Sequence, residues 1–114
     1  MSIGFFRAAF FFVSLGTAPA AFANADYPTV AIVDYVRGCM TANGETRAAL
    51  QSCSCSIDVI ESIIPYDRYE AAETFRSLGL QTGERGVLFR QGAAAKSAVS
   101  ELRRAQAEAD VRCF

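Results

Sequence analysis

Histidine is absent from all 114 residues, and so is tryptophan. Without imidazole there is no Ser–His or Cys–His nucleophilic pair, no imidazole metal ligand and no CxxCH haem attachment. Lysine is nearly missing too. Lys96 is the only one, the other bases being arginine. No basic cluster is present to track a phosphate backbone, so nucleic acid is not an expected partner. No segment alternates polar and apolar residues as a half-buried strand does. Beyond the amino-terminal stretch, no apolar run reaches the roughly 20 residues of a membrane span. These absences argue against an enzyme, and they point to no metal and no cofactor.

What is present begins with an export-type leader. Met1 to Arg7 carries one charge, Arg7, and no acid. Ala8 to Leu15 is apolar apart from Ser14, and Gly16, Thr17 and Pro19 lead to the small-residue exit Ala21-Phe22-Ala23. This is the layout of a secretory signal peptide, too short to span a bilayer. Residues 1–23 are therefore read as a cleaved signal and residues 24–114 as one domain in the periplasm. No cysteine ends the signal, so no lipoprotein anchor is expected. A domain this small buries a modest share of its surface and gains from covalent staples. The four cysteines, Cys39, Cys53, Cys55 and Cys113, suit that need in an oxidising compartment.

The periodicity predicts an all-α fold, an up-and-down bundle of about four helices pinned by two disulfides. Pro28 and Thr29 suit a first turn. Val30, Val33, Val36 and Met40, widened by Ile32, Tyr35 and Cys39, then fall at helical spacing, and Asn43-Gly44 is a stop. Leu50, Cys53, Ile57, Ile60 and Ile64 step by three and four, so a second helix should run from about Glu45 or Thr46 to the residue before Pro65. Val59 and Ile63 broaden its face. Asp67 with Glu70 resembles a capping box for a third helix to about Leu78, with Tyr69, Ala72 and Phe75 inward and Gly79 as its stop. Tyr66 and Tyr69 lie where the second and third helices meet, with packed rings and hydroxyls toward solvent. Leu80 to Gly92 reads as a long ordered loop with a helical turn at Val87 to Arg90. A last helix from about Ala93 to Arg112 carries the stripe Ala95, Ala98, Val99, Leu102, Ala105 and Ala109.

Cys53 and Cys55 stand about 200° apart around a helix. A bridge between them would close a very small ring and break helical geometry. The two remaining connectivities each tie the first and last helices to the second. Cys39–Cys53 with Cys55–Cys113 has a small advantage, because Cys39 and Cys53 share core stripes across one hairpin; the alternative stays open. A functional reading of the pair is thiol–disulfide chemistry, which requires an accessible thiolate of lowered pKa.

The segment most like a recognition surface is Gly83, Glu84, Arg85, Gly86, Phe89 and Arg90. Glycines allow tight backbone paths, the arginines offer planar donors to carboxylates, and Phe89 with Leu88 supplies an apolar anchor. The structural alternative has Arg85 and Arg90 bridging to Asp58, Glu61 or Glu73 while Phe89 plugs the bundle.

Two stretches carry a resemblance. They are Cys53-Ser54-Cys55-Ser56-Ile57-Asp58, continuing to Pro65-Tyr66-Asp67-Arg68-Tyr69-Glu70-Ala71, and Gly83-Glu84-Arg85-Gly86 with Phe89-Arg90. With Cys39 and Cys113 they resemble a family of small secreted proteobacterial proteins with a CxC pair, found beside PQQ-dependent alcohol dehydrogenases and their cytochromes. The resemblance implies a periplasmic accessory role in a quinoprotein respiratory system. It implies no catalytic residues, since the family defines none.

The expected function is thus a small periplasmic accessory protein that acts through a protein partner. The alternatives are a thiol–disulfide protein using Cys53 and Cys55, and a periplasmic chaperone or immunity-type inhibitor. The leader generates a direct prediction. The exported protein should begin at Asn24 or within a couple of residues of it, as read by intact mass. A full-length protein retained in the cytoplasm would sink the leader assignment.

Overall fold

Apolar residues stepping by three and four commit most of this chain to helices, and little of it escapes them. The computed structural model describes residues 27–114; the leader expected over residues 1–23 lies outside the described residues. Five helices follow in order: α1 (Thr29–Asn43), α2 (Arg47–Ile63), α3 (Tyr66–Gly79), α4 (Glu84–Gln91) and α5 (Ala93–Cys113). No strand occurs among the described residues. The fold is a small all-α bundle.

The hub is α2. Thr46 caps it, its side chain accepting from the Ala49 backbone N–H at 3.1 Å, and it ends just ahead of Pro65. Cys53, Ile57, Ile60 and Ile64 are buried as their spacing requires. Burying each isoleucine stabilises the fold by about 1.5–3 kcal/mol. The opposing surface comes from α5, whose Leu102, Ala105 and Ala109 pack with these isoleucines and with Tyr69 and Ala72 of α3 in one core. Three alanines in that seam, each at most 1% exposed, let the backbones approach closely. In this arrangement α5 packs against α2, α3 and α4, while α1 packs on α2.

Several expectations need correction. On α1 the predicted stripe is rotated. Val30 and Val33 are exposed, and Ile32, Tyr35 and Val36 face the core, because α1 leans on a single neighbour with its aromatic edge. On α2, Leu50 and Ile63 are exposed, and the small residues Ala49 and Ser56 are buried in the narrower seam instead. Asp67 does not cap α3. The cap position is Pro65, without a side-chain hydrogen bond, and Asp67 sits in the first turn, where its charge favours the helix N-terminus. The predicted loop over Leu80 to Gly92 contains a full helix, α4.

The lead-in to α1 turns out to be structural. Tyr27 is 4% exposed. Its backbone N–H donates to Glu61 Oε1 at 3.0 Å and its hydroxyl donates to the Ile64 carbonyl at 2.9 Å. Its ring meets those of Tyr69 and Tyr66 at 4.9 and 5.3 Å between centroids. Burial pushes the Tyr27 and Tyr69 hydroxyls well above the ordinary tyrosine range. Across the bundle, Tyr35 and Ser56 share a hydrogen bond of 2.8 Å between their hydroxyls.

Both disulfides radiate from α2. Cys39–Cys53 spans 14 positions and Cys55–Cys113 spans 58, the connectivity that the spacing slightly favoured. Loop-closure entropy makes the shorter bridge worth about 3 kcal/mol and the longer about 4 kcal/mol. The loops share no residue, so the two contributions should be nearly independent. Replacing both members of a bridge by alanine should therefore cost more at Cys55–Cys113 than at Cys39–Cys53, with the combined variant close to the sum. Urea melts of the three variants check this; a larger loss at the shorter loop would contradict it.

Candidate functional site

The segment singled out from the sequence folds into a braced corner between α3 and α4. Gly79 ends α3, and the Leu80 and Gln81 backbone N–H groups close its last turn on the Ser77 and Leu78 carbonyls. Gly83 holds φ at +83°, left-handed backbone that glycine adopts without strain, and the chain re-enters helix at Glu84. In the first turns of α4 a Cβ on Gly86 would lie 1.8 Å from the Gln81 carbonyl oxygen. Only glycine permits that approach. Arg90 then reaches back, donating to the Gly79 carbonyl at 2.5 Å and to the Gln81 carbonyl at 3.4 Å.

The role of Arg90 differs from the expected bridge to a carboxylate. Glu61 accepts from the Tyr27 backbone N–H, and Glu73 pairs with Arg76 at 2.8 Å. Arg90 instead sits at the C-terminal end of α3, where the last carbonyls carry partial negative charge and attract a cation. Arg85 makes no ion pair among the described residues and is exposed. Phe89 is half-buried, its ring 6.4 Å from that of Phe75 and tilted by 44°. The six residues therefore divide. Gly83, Gly86, Phe89 and Arg90 build the corner, and Glu84 and Arg85 are presented on it.

Sequence reasoning missed Leu80 as an exposed feature. Leu80 is 86% exposed and Leu88 70% exposed. A signal existed for the second. Val87, Leu88 and Phe89 are consecutive, residues in sequence on a helix lie about 100° apart, and all three cannot enter one core.

Two concavities flank this architecture. A groove of about 700 Å³ runs between α3, α4 and α5, with Phe75, Phe89 and Val99 in its wall beside Lys96 and Arg103. A cleft of about 760 Å³ opens between α1, α3 and α5, lined by Asp34, Glu73 and Asp110 around the Tyr35–Ser56 hydrogen bond.

The cysteine pair does not form a two-sulfur unit. Cys53 is fully buried and bonded to Cys39, and Cys55 is bonded to Cys113 on another side of α2. Among the described residues no group of three or more Cys, Asp and Glu side chains is placed to hold a metal ion. No known family model, curated protein or solved structure matches this chain.

The division of labour at the corner is testable by stability alone. Arg90→Ala should lower stability by about 1 kcal/mol through the lost charge-assisted hydrogen bond. Arg85→Ala should stay within about 0.5 kcal/mol of the parent, as surface changes do. Chemical denaturation of the two variants checks it, and an equal loss from both would refute the division.

Proposed function

We propose that this chain is a periplasmic accessory module that docks a partner protein on the α3–α4 corner. The observation that supports the reading is the pair Leu80 and Leu88, largely exposed on a corner whose backbone is fixed by Gly86 and Arg90. Exposed apolar side chains are ordinary singly, but two large leucines exposed on one rigid corner are the kind of apolar surface that marks a contact site. A pre-ordered surface also loses little entropy on binding.

The two disulfides belong to an oxidising, extracytoplasmic environment. No helix among the described residues is long and apolar enough to cross a membrane. The resemblance of the Cys53–Asp58 and Gly83–Arg90 stretches makes PQQ-dependent dehydrogenases and their cytochromes the first partners to examine.

The test is cross-linking and co-purification of the tagged exported protein, followed by mass spectrometry, for the parent, Leu88→Asp and Val111→Asp. Val111 is 83% exposed but lies on α5 away from the corner segment, so it serves as a control for added charge. One partner should be recovered by the parent and by Val111→Asp, and be depleted about tenfold or more by Leu88→Asp, the loss of one interface anchor. Equal recovery by all three, with matched melting curves, would overturn the reading.

A further inference from the structure

The groove between α3, α4 and α5 combines an apolar wall with a cationic edge. Lys96, Val99 and Arg103 stand at i, i+3 and i+7 on α5, one face of the helix over about 10 Å. Phe75 of α3 and Phe89 of α4 face each other beside this stripe. Ala95, 3% exposed, lies one helical turn from Val99 and adds no bulk.

The charges do not cancel. Glu73 is the one carboxylate lining the groove, and Arg76 already neutralises it at 2.8 Å. Arg90 is engaged with the Gly79 and Gln81 carbonyls. Lys96 and Arg103 make no ion pair among the described residues. The groove therefore offers two uncompensated cations next to aromatic and aliphatic surface.

We propose that this groove binds a single-chain amphiphile with an anionic head, a long-chain carboxylate being the simplest case. The head takes charge-assisted hydrogen bonds from Lys96 and Arg103, and the tail covers Phe75, Phe89 and Val99. At about 700 Å³ the groove falls in the size range of small-molecule sites, about 300–1,000 Å³. That is far more room than a bare inorganic anion fills, and such an anion would leave the apolar wall uncovered. A cationic amphiphile would meet two unpaired positive charges. The groove borders the docking surface at Leu80, which lines it, whereas Leu88 and Arg85 do not, so Leu88→Asp and the Lys96 and Arg103 variants test the two readings separately.

The experiment titrates the oxidised exported protein by calorimetry with dodecanoate, each probe kept below its micelle concentration. Dodecyl maltoside, dodecyltrimethylammonium and acetate serve as comparisons. Dodecanoate should bind saturably at one site, and acetate should not bind measurably. Lys96→Ala with Arg103→Ala should weaken dodecanoate by about tenfold or more, as loss of charge-assisted bonds requires. Lys96→Glu with Arg103→Glu should reverse the preference toward dodecyltrimethylammonium. A backbone NMR titration of the parent keeps the proposal falsifiable if a variant fails to fold, with shifts expected at Phe75, Phe89 and Val99. Equal affinity for the neutral or cationic chain, absence of saturable dodecanoate binding, or shifts confined elsewhere would each overturn it.

Discussion

The structure depends on one geometric fact about α2: two cysteines separated by a single residue must point to different sides of a helix. Cys53 turns into the apolar seam and takes Cys39 of α1. Cys55 turns away and takes Cys113 at the end of α5. Between them the isoleucine face is held against α5. The arrangement matters most for α1, which contains no fully buried residue of its own. Half-buried Ile32, Tyr35 and Val36 and one hydroxyl–hydroxyl contact would be thin support without a covalent tie. Tied to α2 at its far end, α5 also packs against α3 and α4.

How much of this was legible in the sequence follows from burial. The central stripe residues Cys53, Ile57 and Ile60 of α2 and Leu102, Ala105 and Ala109 of α5 are deeply buried and could be read, since a three–four repeat survives where one face is excluded from water. The stripe of α1 was misread because that helix is wetted on most sides, and the valines Val30 and Val33 face solvent. The α4 helix was hidden by its glycines. Gly86 is there for a close backbone approach to Gln81, a tertiary reason invisible to local propensity. The roles of Arg90 and Tyr27 were equally out of reach, since each depends on a partner carbonyl brought near by folding. The corner is legible as a segment; which of its residues brace it and which are presented depends on tertiary contacts.

A formal net charge of −1 conceals a polar molecule. Carboxylates Asp34 and Asp110 gather at the cleft beside α1, while Lys96 and Arg103 gather at the groove beside α4. Glu73 and Arg76 border both concavities, and their ion pair marks the divide. Exposed pairs of this kind contribute about 0–1 kcal/mol, so the pair shapes the field more than it holds the fold. Two oppositely charged faces on a small body favour orientation of approaching partners over raw affinity.

The connectivity also bears on how the protein is made. In order along the chain, the first cysteine bonds to the second and the third to the fourth. If the chain is exported amino terminus first, Cys39 and Cys53 reach the oxidant while Cys113 is still inside. Oxidation of the thiols two at a time, in their order of arrival, then yields the native bonds. The competitor at that moment is Cys55, and formation of α2 turns it away from Cys39 and forbids its bridging to Cys53. A chain wired in this order can mature under a simple oxidase, without an isomerase to shuffle its sulfurs.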